Sequence, residues 1–234
     1  MSMTDRLQQA FNKSGSDKCM SLFITAGFPS IEDTVELVLG FEQNGADIIE
    51  LGIPFSDPLA DGPTIQYSSN LAIANGITMN KIFEMVQQIR AKSDIPIVLM
   101  GYINPMLRFG IDSFFEKAQQ VGVDGVIVPD LPIDEGAMIH DVAVNHGINI
   151  INLIAPNTTD ERMQLADQRS SGFVYCVSVT GVTGARDGEE VQKSVDQFIE
   201  RSKQNITNNP IMVGFGIKSY EDACTISKNV DGFI

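Results

Sequence analysis

Eight short runs of almost unbroken apolar residues recur along the chain, at 20–25, 46–51, 96–101, 125–128, 148–153, 173–177, 211–214 and 232–234, with longer amphipathic stretches between them. A strand with one wet face alternates apolar and polar residues. A run that is apolar throughout is buried on both faces, which is the condition of a parallel strand lying under helices. The intervening stretches carry helical periodicity: within 31–45, Ile31, Val35, Val38, Leu39 and Phe41 form one stripe, with Glu32, Asp33 and Glu36 near the N-terminal end, where the helix dipole favours acids. Strict alternation, without a proline-rich linker or a change of composition, predicts one α/β domain over residues 1–234. Eight units favour a closed (β/α)8 barrel, the TIM-barrel architecture, over an open doubly wound sheet.

A weak internal echo supports a repeating unit. Asn44-Gly45-Ala46-Asp47, Val121-Gly122-Val123-Asp124 and Asn229-Val230-Asp231 each close a helix with Gly or Asn and open a strand through Asp. An extra helix over residues 4–13 precedes the first strand and is expected to cover the bottom of the barrel. The sequence stops at Ile234, inside the eighth run. A closed barrel takes roughly 250 residues, so the expectation is a barrel cut short in or after its eighth strand.

Sixteen Lys plus Arg against thirty Asp plus Glu give a net charge of −14. That field repels nucleic acid and anionic membrane, so neither is expected as a partner. A phosphorylated small substrate would have to be held locally, by backbone N–H groups and helix N-termini. Cys19, Cys176 and Cys224 are odd in number, widely spaced and free of metal-ligand or Cys-x-x-Cys patterns. Each is read as a small buried apolar residue in a reducing compartment, with no nucleophilic role. No stretch has the apolar core of a signal peptide or the length of a membrane span, so the expected location is the cytoplasm.

In barrel enzymes the reacting groups stand at the C-terminal ends of strands and in the loops that follow. Glu50 interrupts the second apolar run near its end. It is either an ion-paired strand-end glutamate or a carboxyl whose burial raises its pKa for proton transfer. Asp57 and Asp61 follow in a loop whose Asp-Pro and Asp-Gly pairs are ordinary turn formers. That loop also holds three prolines and shows Phe55 and Leu59 where a merely solvated loop would be polar, so it can fold over a ligand. Residues 178–188 have three glycines and fit either a lid or a phosphate cradle. Residues 214–219, after the seventh run, fit a tight turn capped by Ser219 and equally the common barrel phosphate site. Phe23, Met100, Ile127, Leu153, Tyr175 and Phe215, at strand ends, would together suit a flat apolar group with a phosphorylated tail.

Residues 51–66, Leu-Gly-Ile-Pro-Phe-Ser-Asp-Pro-Leu-Ala-Asp-Gly-Pro-Thr-Ile-Gln, form a long and specific motif that resembles the signature of the tryptophan synthase α subunit family. Phe23 to Pro29, Gly101 to Pro105, Val128 to Pro132, Gly181 to Gly184 and Gly214 to Ile217 agree with it, so the resemblance spans essentially the whole chain. It implies a lyase of tryptophan biosynthesis that cleaves indole-3-glycerol phosphate to indole and glyceraldehyde 3-phosphate by a retro-aldol step, with no organic cofactor or metal. By resemblance Glu50 shuttles protons at indole C3 and at the side-chain hydroxyl, and Asp61 acts at the indole N–H. Thr183 then matches the residue that bonds the Asp61 equivalent, Tyr102 and Tyr175 line the pocket, and Gly184 and Gly216 match phosphate-binding backbone positions. The resemblance also implies an α2β2 heterotetramer with a pyridoxal-phosphate-dependent β subunit that receives indole. Pro54, Asp57, Pro58, Asn104, Asp130 and Pro132 would lie near that interface. Two other readings stay open: a partner-activating subunit with little activity of its own, and another phosphate-binding barrel of tryptophan or histidine biosynthesis, a group that typically lacks the 54–61 loop.

Overall fold

The computed structural model describes residues 6–14, 18–177, 188–214, 217 and 219–234. Among them the strands are β1 (Cys19–Thr25), β2 (Ile48–Gly52), β3 (Ile97–Met100), β4 (Gly125–Ile127), β5 (Asn149–Ile151), β6 (Leu153–Ile154), β7 (Val174–Val177), β8 (Ile211–Gly214) and β9 (Gly232–Phe233). The helices are α1 (Arg6–Ser14), α2 (Asp33–Gln43), α3 (Pro63–Ala74), α4 (Met79–Arg90), α5 (Ile103–Phe109), α6 (Ile111–Val121), α7 (Ala137–Asn145), α8 (Asp160–Arg169), α9 (Gly188–Asn205) and α10 (Tyr220–Ile226).

Every strand pair is parallel, in the order β5-β4-β3-β2-β1-β9-β8-β7-β6. The two ends of that order are one run of chain. β5 pairs with β4, β6 pairs with β7, and only Asn152 separates them, so the sheet meets itself. The fifth apolar run is thus one strand interrupted. The Asn152 N–H and side-chain amide both donate to the Ser170 hydroxyl, at 3.2 and 3.0 Å, while its carbonyl still accepts from Tyr175 N–H at 3.0 Å.

Two apolar regions result. Outward-facing strand residues such as Ile49, Leu51, Ile97, Leu99 and Val126 pack under the helices with Val38, Phe83, Val86, Phe114 and Phe115. The barrel interior holds Cys19, Ile48, Val98, Ile127, Ile151, Phe173 and Met212, and Leu7 and Ala10 of α1 close it from below as expected. An eight-stranded barrel has no room for a full side chain from every strand at each level. Glycines stand beside the large residues accordingly. A Cβ at Gly52 would lie 2.5 Å from the Phe23 ring, one at Gly125 would lie 2.7 Å from Ile151 Cδ1, and one at Gly214 would strike the Tyr175 hydroxyl.

The echoed aspartates share a task that the repeat alone did not reveal. Asp47 Oδ2 accepts from the Met20 N–H (2.9 Å), Asp124 Oδ2 from Ile97 N–H (2.8 Å) and Asp231 Oδ2 from Ile211 N–H (2.8 Å). Each ties the opening of one strand to an amide in the first two residues of its neighbour, which would otherwise be an orphan donor at the barrel bottom. One expectation fails. Cys19 and Cys176 are buried, but Cys224 is exposed, because its position on α10 turns away from the barrel. Among the described residues no helix is long and apolar enough to cross a membrane.

A Cβ at Gly232 would lie 2.5 Å from the Cys19 carbonyl oxygen, a backbone atom that cannot swing aside. Gly232→Ala is therefore expected to destabilise the fold by about 1–3 kcal/mol. Gly40→Ala meets nothing within 4 Å in α2 and is expected to stabilise by about 0.5–1 kcal/mol. Denaturant midpoints of the two variants should move in opposite directions.

Candidate active site

Glu50 occupies the interior side of β2 between Ile48 and Gly52, and its side chain is fully buried. One oxygen, Oε1, accepts from the Ser21 hydroxyl of β1 at 2.8 Å. The other, Oε2, is buried with no hydrogen-bond partner among the described residues. A carboxylate in such surroundings is poorly solvated, so burial pushes its pKa from the ordinary 4.5 up to about 7, against the lowering effect of Ser21. The Tyr175 phenol on β7 is pushed well above its usual range by burial and by the Glu50 charge, so it stays neutral. The ion-pair reading of Glu50 is excluded among the described residues, since no cation bridges to it.

Asp61 lies in the loop between β2 and α3. Tyr102, 4% exposed after β3, organises that loop from the barrel side. Its hydroxyl accepts from Ala60 N–H at 3.0 Å, its ring packs on Phe55 with centroids 5.4 Å apart, and the phenol stands close enough to the Asp61 carboxylate for each to shift the other's pKa. Partial burial raises the Asp61 pKa, with the Tyr102 bond opposing. Gln66 holds the Asp61 carbonyl at 2.9 Å, and Gly62 and Pro63 begin α3, where the fixed proline φ suits the first helical turn. Asp61 borders a cavity with Phe23, Gly52, Met100 and Tyr102. That cavity is one level nearer the barrel mouth than Glu50, because Glu50 and Gly52 are successive interior positions of one strand.

Of the residues anticipated as pocket lining, Phe23, Met100 and Tyr102 thus come together with Asp61. Ile127, Leu153 and Tyr175 belong to the interior cluster beneath. Thr183, Gly184, Phe215 and Gly216 lie outside the described residues. Pro54, Asp57, Pro58, Asn104, Asp130 and Pro132 fall in or just after the loops that follow β2, β3 and β4, at the C-terminal end of the barrel. Asp130 accepts from Ile103 N–H at 2.9 Å, joining two of those loops. Leu153 also borders a separate cleft with Asp130, His140, Arg162 and Arg169, whose guanidinium groups are engaged by Asp134 and the Ile133 carbonyl at 2.5 Å each.

Sequence reasoning missed the hydroxyl residues. Ser21, Thr25, Ser68 and Ser69 are all buried, Thr25 and Ser68 share a hydrogen bond at 2.7 Å, and Thr25 and Ser69 border the Asp61 cavity. Alternation offered a signal for two of them, since Ser21, Phe23 and Thr25 fall on one side of β1. Among the described residues no cluster of His, Cys, Asp or Glu is arranged to hold a metal ion.

A sequence model of the family described as "Tryptophan synthase alpha chain" matches residues 10–234. The tryptophan synthase alpha chain of a Thermoanaerobacter species is 46% identical over 232 residues, covering 98% of this chain and 87% of that protein. The crystal structure of the alpha chain from Legionella pneumophila superposes with a TM-score of 0.87 at 37% identity, covering 99% of this chain and 85% of that one. The tryptophan synthase complex of Pyrococcus furiosus contains a chain with a TM-score of 0.81 at 37% identity, covering 92% and 85%.

The Glu50 environment has a measurable consequence for stability. Between pH 4.5 and about 7 the folded chain binds more protons at this site than the unfolded chain does. Its contribution is therefore fully present below pH 4.5, declines as pH rises, and is lost above about 7. At about 1.4 kcal/mol per pH unit the span corresponds to about 3 kcal/mol. Glu50→Gln removes the titration, so native stability minus variant stability should fall by that order between pH 4.5 and 8, as read from denaturation at both pH values.

Proposed function

The chain belongs to the tryptophan synthase alpha chain family, lyases of tryptophan biosynthesis, and on that premise we propose that Glu50 and Asp61 cleave indole-3-glycerol phosphate into indole and glyceraldehyde 3-phosphate. Scission between indole C3 and the adjoining side-chain carbon needs two proton movements. The Glu50 carboxyl gives a proton to C3, which turns the ring into a leaving group and places positive charge on the N–H side. Asp61, as a carboxylate, stabilises that charge. Glu50, now ionised, takes the proton of the hydroxyl next to the breaking bond; the C–O becomes an aldehyde and the bonding pair returns to the ring. Glu50 ends protonated as it began, and no net proton is consumed.

The observation that carries this reading is a fully buried carboxyl with one oxygen bonded to Ser21 and the other without a hydrogen-bond partner among the described residues, a setting in which burial pushes its pKa up to about 7. A group that must give and take a proton in one turnover works best when neither form is strongly preferred at the working pH. Phe23, Met100 and Tyr102 supply the apolar walls for a planar ring beside Asp61. Tyr175 and Leu153 line the deeper interior, Thr183 is assigned to Asp61, and Gly184 and Gly216 to the phosphate through backbone N–H groups, which suits a chain of net charge −14.

The partner we assign is a β subunit in an α2β2 assembly, as in the tryptophan synthase a2b2 complex of Pyrococcus furiosus. Pro54, Asp57, Pro58, Asn104, Asp130 and Pro132 would meet it, and Leu59, 88% exposed in the same loop, adds an apolar contact. Cysteines kept as thiols and a biosynthetic role of this kind support a cytoplasmic location.

Glu50→Gln and Asp61→Asn should each reduce indole release from indole-3-glycerol phosphate by at least about 100-fold while leaving the far-UV circular dichroism unchanged. Near-native turnover in both would refute the assignment. Addition of a β subunit should raise the native rate, because the Asp61 loop is part of the proposed interface. An unassisted chain with no activity, rescued only in the complex, would favour the activating-subunit reading instead.

A further inference from the structure

Ser21 and Glu50 are both fully buried and face the barrel interior from adjacent strands. In register Ser21 stands beside Ile48, and Phe23 beside Glu50. The Glu50 side chain therefore reaches one step toward the barrel bottom to meet the Ser21 hydroxyl at 2.8 Å. The two oxygens of one carboxyl are left in unlike surroundings, Oε1 bonded and Oε2 without a partner among the described residues. The interior side chains of the other strands are apolar: Val98 on β3, Ile127 on β4, Ile151 on β5 and Met212 on β8. Tyr175 on β7 is the titratable group that feels the Glu50 charge, and it stays neutral. A hydroxyl in such a setting costs desolvation that an alanine or valine would not, unless its bond to Glu50 serves a purpose.

We propose that Ser21 is a positioning residue for proton transfer: its hydroxyl occupies Oε1 and leaves Oε2 as the oxygen that gives and takes the proton. This deepens the reading of Glu50 as the acid-base group and rests on it. With the proton on Oε2, Ser21 donates to the carbonyl-like Oε1. When that proton leaves for the substrate, the same O–H remains on Oε1 and stabilises the new charge. When Oε2 takes the substrate proton, the starting arrangement returns. The serine bonds both forms, but the ionised form more strongly, which offsets part of the burial cost.

The test follows the Glu50 carboxyl directly, in the full chain labelled with 13C at the glutamate side-chain carboxyls. The resonance absent from Glu50→Gln identifies it. It should titrate near pH 7 in the native chain, about one to two pH units higher in Ser21→Ala, and close to native in Ser21→Thr, which keeps the hydroxyl. The limb of the pH profile for indole release should move by the same amount. A purely structural serine would lower the denaturation midpoint of Ser21→Ala and leave the Glu50 titration where it was; that result overturns the proposal. If Ser21→Ala does not fold, Ser21→Cys, nearly isosteric with a weaker donor, replaces it with the same two outcomes. A titration that shifts as expected in chains that never release indole upholds the Ser21–Glu50 pairing and rejects the assigned reaction instead.

Discussion

The interior of an eight-stranded barrel is too narrow for a full side chain from every strand at each level, and the rest of this structure follows from how that space is shared. Phe23 lies over Gly52, Ile151 over Gly125 and Tyr175 over Gly214. A position in such an interior is dry because its neighbours have been packed to exclude water. Placing a carboxyl there gives it a high pKa without any cation or second acid to tune it. The raised pKa on which the role proposed for Glu50 depends is thus a consequence of barrel packing, which the Ser21 hydrogen bond partly offsets.

Asp61 is built differently. It belongs to a loop, is only partly buried, and is held through the loop backbone, where the Tyr102 hydroxyl accepts from Ala60 N–H and Gln66 bonds the Asp61 carbonyl. Losing the Tyr102 contact would loosen that loop, so the position of Asp61 depends on whether the loop is docked. Glu50 has no such dependence, because a strand in the middle of a closed sheet has nowhere to move. One carboxyl is set by the scaffold and the other by a latch, and the latch stands in the loop proposed to meet a partner.

Much of this was legible in the residue order. Continuous apolar runs marked every strand within a residue or two, because burial on both faces leaves no other composition. Glu50 was visible as a charge near the exit of such a run, and Asp61 through its motif. What could not be read depends on register and on contacts far apart in sequence. Asn152 interrupts the fifth strand through a hydroxyl at Ser170, which no local pattern announces. Tyr102 reaches Ala60 across forty-two positions. Alternation puts Ser21 on one side of its strand but does not name its partner, which is on another strand, twenty-nine residues away. Cys224 followed the general habit of cysteine only until the helix direction was known.

The aspartate echo links these levels. Asp47 touches Met20 twice, its carboxylate accepting from the Met20 N–H at 2.9 Å and its own N–H donating to the Met20 carbonyl at 2.9 Å. Those two bonds fix which residue of β1 stands beside which residue of β2. A slip of one residue would turn Ser21 to the outside of the barrel and bring an apolar neighbour to the inside. Glu50 would then lose its only hydrogen bond among the described residues while staying buried. An aspartate at the bottom of the barrel, three positions before Glu50, thereby sets the surroundings of the carboxyl farther along the same strand. Conservation of fold and tuning of the carboxyl are the same constraint at this pair of strands, since the register that closes the sheet also brings Ser21 to Oε1.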